Sequence, residues 1–335
     1  MKIGQFFKKI VLAALIFFLI FLIYFFIGTP PQPKNYTFGV NFHQEHSQLL
    51  GLEWKKNYLA LLDDLKVRNL KLASQWDIIE RNKDEYDFRD LDWQIDEAEK
   101  RGAKVLLVVG MKTGRWPECH IPDWAKGFSK EDLQKEILEF IKEVVLRYQN
   151  KETIYLWQVE NEPFFPFGEC PWADKKFLAK EIKLVKELDP LKRKVVVSDS
   201  GEGSLWLNAG YFGDIVGTTM YKKVWFRQLK FYINYPFPEI FYWRKAKIID
   251  FLFKKKVIII ELQAEPWGPK LLYDVPLEEQ KKTMNLEQFR YNIEFAKRTG
   301  FDTIYLWGGE WWYWLKTKHN MPEIWEEARK LFANN

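Results

Sequence analysis

Cysteine is nearly absent. Cys119 and Cys170 are the two in 335 residues, and no zinc-site pattern surrounds them. Charge of one sign is lacking as well: 51 Lys and Arg against 46 Asp and Glu leave a formal charge of +5, spread along the chain, which argues against a nucleic-acid binder. No internal repeat or low-complexity segment is visible. From Ile10 to Ile27 there is no charged residue at all.

That last absence is a signal in its own right. At ~1.5 Å per residue such a run spans close to the hydrocarbon thickness of a bilayer. A cleaved signal peptide would have a shorter apolar core and a small-residue cleavage site, whereas Phe25-Phe26-Ile27 is bulky. The reading is an uncleaved transmembrane anchor over residues 1–28. Lys2, Lys8 and Lys9 ahead of it place the N-terminus in the cytoplasm and the rest of the chain outside. Pro30, Pro31 and Pro33 make residues 29–35 a short stiff linker.

What the chain has in abundance is aromatic residues, 17%, within a hydrophobic content of 47%. Tryptophan faces suit the C–H faces of sugars, although large core residues account for most of the count. From Tyr36 on, short apolar runs alternate with amphipathic stretches, the pattern of a mostly parallel α/β fold. Strands are expected at Phe38–Phe42, Leu70–Ala73, Lys104–Val109, Thr153–Val159, Lys194–Ser198, Asp214–Thr218, Lys256–Glu261 and Thr303–Trp307. Eight is the number of a (β/α)8 TIM barrel, and residues 36–335 are long enough for one. Helices are expected at Glu53–Lys66, Arg89–Lys100, Ser129–Tyr148, Asp174–Glu187 and Leu286–Lys297. Ser129 and Asp132 resemble a capping box, and Gly102 and Gly300 stop their helices. Cys119 and Cys170 then fall in loops after neighbouring strands, where either a disulfide or two free thiols is consistent with the spacing. Tyr221–Lys255 is long for a connection. It reads as an elaborated loop over the site, a segment packed against the membrane surface near the anchor, or an ordinary helical insertion with a solvated basic face.

In a barrel the working residues sit at the C-terminal ends of strands. Here those ends carry Asn41, His43, Lys71, Gln75, Trp76, Lys112, Arg115, Asn161, Glu162, Asp199, Tyr221, Glu261, Trp307 and Glu310. The run Ile154-Tyr155-Leu156-Trp157-Gln158-Val159-Glu160-Asn161-Glu162-Pro163 breaks from a buried strand into polar groups. Val257-Ile258-Ile259-Ile260-Glu261 also ends on a glutamate. Two strands that deliver acids to one end supply the pair that glycoside hydrolysis needs.

Asn161-Glu162-Pro163 after the fourth strand, Glu261 on the seventh, Tyr221 after the sixth and Trp307 at the end of the eighth together resemble the retaining (β/α)8 glycoside hydrolases. These carry glutamates on strands four and seven and include cellulase-type and β-xylosidase-type enzymes. The resemblance covers Tyr36 to the end. It implies Glu162 as general acid/base, Glu261 as nucleophile, Tyr221 as a hydrogen bond to that nucleophile, Asn161 on the sugar 2-hydroxyl and Trp307 as the floor under the sugar. It implies a carbohydrate partner and no metal or cofactor; oligomeric state is not legible. Further substrate contacts are expected from Lys71, Trp76, Arg115, His120 and Glu310.

Strand alternation alone puts Glu160 and Glu162 on one face, so choosing Glu162 requires the backbone to leave regular pleating. Glu265 competes with Glu261 as nucleophile. Related enzymes usually carry an arginine on the second strand where Lys71 stands here, a charge without the planar fork; Arg115 from the third loop is a candidate to replace that contact. Tyr221, Trp76, Trp116, Trp267, Trp311 and Trp312 are candidates to line a groove, and His43 and His46 fit positions at the surface or behind the residues that would touch a ligand. Two alternatives stay open: a carbohydrate-binding barrel whose catalysis has lapsed, motivated by Lys71, and an envelope transglycosylase using the same glutamates.

Overall fold

The computed structural model describes residues 2–333. From Thr37 onward the chain closes eight parallel strands into a barrel: β1 (Thr37–Asn41), β2 (Asn69–Ala73), β3 (Lys104–Val109), β4 (Ile154–Val159), β5 (Lys194–Asp199), β6 (Ile215–Met220), β7 (Lys256–Gln263) and β8 (Thr303–Trp307). Sequential strands pair, and β8 closes on β1 from Thr37↔Thr303 to Asn41↔Trp307. All eight expected strands are present. β6 and β7 each run two residues past the expected end, because the ladder continues through Thr219↔Glu261 and Met220↔Leu262 after the purely apolar run stops.

Two cores follow from the alternation of side chains. Leu106, Val108, Leu156, Val196, Ile215, Ile258 and Ile260 fill the barrel interior, and each such buried aliphatic contributes about 1.5–3 kcal/mol. The opposite faces of the same strands pack against the helices. Gly39 makes room for Tyr305, whose ring would lie 2.4 Å from any Cβ placed there. Helix Lys130–Tyr148 shows how the outer layer is specified. The Ser129 hydroxyl accepts from Asp132 N at its start, and Leu133, Ile137, Phe140, Ile141, Val144 and Tyr148 form its inward stripe.

The long connection after β6 divides into a hairpin, Lys223–Phe226 with Phe231–Asn234, and a helix, Glu239–Phe253. Trp225 N of the hairpin donates to Trp267 O in the loop after β7. The helix instead meets the N-terminal helix Lys2–Phe26: Phe25 and Phe26 pack on Phe241, and Arg244 stacks on Tyr24. The segment thus combines a hairpin next to the loop after β7 with a helix that meets the N-terminal helix. Over Phe6–Phe26 the N-terminal helix has a mean hydropathy of 2.8, long and apolar enough to cross a membrane. Cys119 and Cys170 form a disulfide that ties the loop after β3 to the loop after β4.

Candidate active site

Each acid reaches the barrel mouth through a local break in strand geometry. On β7, Val257 and Ile259 face the helices while Ile258 and Ile260 face the interior. Continued alternation would send Glu261 outward. Between Thr218↔Ile259 and Thr219↔Glu261 the register shifts, with a matching shift against β8. This bulge resets the phase, so Leu262 packs outward and Glu261 turns into the mouth. On β4 the strand ends at Val159, and Glu160 and Glu162 both take left-handed backbone, φ 58° and 44°. Glu160 turns back to the helix layer. Its carboxylate accepts from Met111 N (2.7 Å) and Lys112 N (2.6 Å) and meets Glu181 of helix Lys175–Leu188. Gly110 permits this, since a Cβ there would lie 2.3 Å from Glu160 Oε1.

Glu162 and Glu261 are both buried and close enough for the charge of Glu261 to act on Glu162, but they have opposite partners. Lys71 Nζ, itself 1% exposed, donates to Glu261 Oε1 at 2.6 Å and to Asn161 Oδ1 at 3.2 Å. The Tyr221 hydroxyl donates to Glu261 Oε2 at 3.2 Å. Glu162 Oε1 receives only the Thr219 hydroxyl, at 3.1 Å, while its backbone N–H is fixed by Ser198 Oγ at 2.7 Å. Burial first, then the neighbouring charge of Glu261, raises the Glu162 carboxyl well above the usual range. Glu118 adds to that field. Its own carboxyl is pushed up to about 7 by burial, and its Oε2 is buried without a partner.

Arg115 does not serve Glu261. Its guanidinium lies on the face of Trp307, 4.3 Å from the ring centroid, and is gripped by Glu265 Oε1 and Oε2 and by Glu310 Oε2 at 3.1 Å. Lys71 is long enough to reach Glu261 itself, so the contact expected from Arg115 is already made. Glu265 is engaged by Arg115 and by Trp307 Nε1, which donates to it at 2.9 Å, whereas Glu261 is held by Lys71 and Tyr221. Trp307 is 4% exposed, with His43 packed at 5.1 Å. Glu310 Oε1 accepts from His43 N, and burial pushes this acid up to about 7.

Other expected contacts lie elsewhere. Trp76 is fully buried behind the barrel, stacked on Phe140 and donating to Glu80, so it is outside the compartment; its strand-end position is followed at once by a short helix that turns it outward. His120 is buried with its ring nitrogens on Gly114 O and Asp77, so it holds the third loop rather than facing ligand. Trp311 and Trp312 are buried, donating to Gln280 and Ala264. Trp116, Phe167, Trp267 and Tyr221 form a chain of ring contacts along the mouth, and Trp116 is exposed. Thr219, Ser198 and Glu118 were not singled out from sequence. The first two stand at strand ends like the acids they contact, and Glu118 stands three residues from Arg115. Among the described residues no group of three or more His, Cys, Asp or Glu is placed to hold a metal.

Comparison with known proteins points the same way as the motif. Residues 36–183 match the model of glycosyl hydrolase family 10. A β-1,4-xylanase of Dictyoglomus thermophilum is 31% identical over 127 residues, 35% of this chain and 33% of that one. A probable mannan endo-1,4-β-mannosidase A of Aspergillus clavatus is 26% identical over 136 residues, 36% of this chain and 35% of that one. The chain thus spans about a third of the length of these curated relatives. Among solved structures, xylanase 10B of Thermotoga maritima superposes with a TM-score of 0.57 at 17% identity, covering 90% of this chain and 97% of that one. The family model and the curated relatives carry the likeness to (β/α)8 glycoside hydrolases, and the solved structure carries the fold.

Proposed function

We propose that this protein is a retaining glycoside hydrolase that cleaves β-glycosidic bonds of oligo- or polysaccharides by double displacement. The observation that carries the reading is the unequal treatment of two acids in one compartment: a cation and a phenol on Glu261, a lone hydroxyl and a raised pKa on Glu162. In the first step a Glu261 oxygen bonds to the anomeric carbon as the bond to the leaving oxygen breaks, and Glu162 gives that oxygen its proton. In the second, water attacks the same carbon, its proton passes to Glu162, and the ester to Glu261 breaks. Lys71 holds Glu261 and Asn161 in a fixed relation, which places the sugar 2-hydroxyl partner beside the nucleophile. That contact favours the enzyme over the lapsed barrel, because the lysine that motivated the doubt makes the charged contact at 2.6 Å.

The relatives' activities direct the substrate search to β-1,4-linked xylose and mannose chains. The N-terminal helix supports a membrane anchor, and the disulfide fits a barrel held outside the cytoplasm. The test is hydrolysis of a panel of aryl β-glycosides and β-1,4 oligosaccharides, with NMR of the first-formed anomer. Retention of β configuration is expected; inversion overturns the nucleophile assignment.

A further inference from the structure

Arg115 belongs to the loop after β3, whereas Glu265 and Glu310 follow β7 and β8. In a ring of eight, β3 and β7 stand opposite each other. The guanidinium therefore spans the barrel mouth and is fixed at the far rim by two acids, with side-chain exposures of 11% for Arg115, 6% for Glu265 and 0% for Glu310. It also covers the Trp307 face at stacking distance, where a sugar ring would lie. Gly114, φ 87°, brings the loop close enough that a Cβ would meet both Trp307 and Asn161 at about 3.5 Å. The disulfide at Cys119 ties the same loop to its neighbour. One donor of the guanidinium, Nε, is buried without a partner. A buried N–H left unpaired is costly and is satisfied when a ligand hydroxyl reaches it.

We infer that Arg115 is a specificity-determining residue that closes the glycone side of the site, so that the protein takes the free non-reducing end of a β-linked chain and removes sugars from that end. The inference rests on the hydrolase reading and deepens it. A groove for internal cleavage has to continue across the mouth past the terminal sugar, and here that path is crossed by a bidentate ion pair between opposite rims. The terminal ring instead abuts the guanidinium, whose free Nε–H donates to a ring hydroxyl. Trp116, Phe167 and Trp267, in ring contact along the mouth, offer stacking faces for the rest of the chain.

The test uses the full chain in detergent carrying Glu261→Gln, with calorimetric titration of β-1,4-linked xylo-, manno-, gluco- and galacto-tetraose. Each is offered with a free non-reducing end and with that end blocked by methylation of its 4-hydroxyl. Binding of at least one free-ended chain is expected, with the blocked form weaker by about tenfold or more, the loss of roughly one well-placed hydrogen bond plus a steric clash. Adding Arg115→Ala removes the discrimination, and Arg115→Lys, which keeps the charge without the fork, leaves it in part. Wild type with Arg115 intact releases single sugars, whereas Arg115→Ala alone yields longer products. Equal binding of blocked and free ends with Arg115 in place, internal cutting of blocked chains by wild type, or no binding of any free-ended chain overturns the inference. If wild type turns over no glycoside at all, the hydrolase reading fails, and the binding comparison still judges Arg115.

Discussion

Glu160 and Glu162 stand two residues apart on one strand end, and each is buried beside a second carboxyl, yet the two pairs have different surroundings. Glu160 and Glu181 are enclosed between the barrel and a helix, where the Glu160 carboxylate takes two backbone N–H groups. Nothing in that pair faces the mouth. Glu162 and Glu261 share the mouth with Lys71, Tyr221 and Asn161, so their charges can act on a ligand. Two close acids with perturbed pKa values are therefore insufficient to mark an active site. Access and a division of partners between the acids are what separate the second pair from the first.

The largest separation between the pairs lies in turnover. Glu261→Gln and Glu162→Gln should each lower kcat/KM on β-1,4 oligosaccharides by on the order of 10⁴-fold, with Glu162→Gln less damaging on aryl glycosides whose phenols leave without a proton. Glu160→Gln and Glu181→Gln should leave the chemistry within a few fold. Steady-state kinetics on purified variants checks this, and equal losses in both pairs would erase the distinction. Next comes Lys71→Met. Removing one partner of a buried ion pair costs about 3–5 kcal/mol, so without its charged contact Glu261 should lose its fixed position and kcat fall by about a hundredfold, with Lys71→Arg partly active.

A smaller effect concerns pH. In the proposed role Glu162 must be protonated, and burial with the neighbouring charge of Glu261 raises its pKa, so activity should be lost as pH rises through that raised value. The charge of Glu118 helps hold it there, after burial and Glu261. Glu118→Gln should accordingly move the alkaline limb of kcat/KM to lower pH, by about half to one unit, and leave the acid limb in place. The smallest effect is on stability in the enclosed pair. Glu181 is raised well above its ordinary value, by burial and then Glu160, so the folded state holds this proton more tightly than the unfolded one. Stability is then greatest at low pH and declines as pH rises toward the folded pKa. Glu181→Gln removes that decline, and its melting temperature should exceed wild type by about 2–4 °C at pH 8 with little difference at pH 5.

The barrel was legible because each strand is an apolar run bounded by polar residues, a signal that survives without knowledge of its neighbours. The strand ends were less so. Alternation sends Glu261 outward, and only the bulge at Ile260 and Glu261, a feature with no sequence period, returns it to the mouth. Likewise the left-handed backbone at Glu160 and Glu162 separates two acids that pleating would place together. Arg115 was the hardest to read. The sequence suggested a charge for Glu261, but its partners Glu265 and Glu310 lie 150 and 195 residues away across the mouth, a proximity that exists only once the ring is closed. The same closure puts Arg115, rather than solvent, against Trp307.

Covalent trapping tests the assignment of the two acids most directly. The full chain is incubated with a 2-deoxy-2-fluoro aryl β-glycoside of each candidate sugar, digested, and its peptides weighed. The fluorosugar is expected as a stoichiometric adduct on the peptide containing Glu261, formed in wild type and in Glu160→Gln and absent in Glu261→Gln. An adduct on Glu162, Glu160 or Glu265, or turnover that survives in Glu261→Gln, would contradict it.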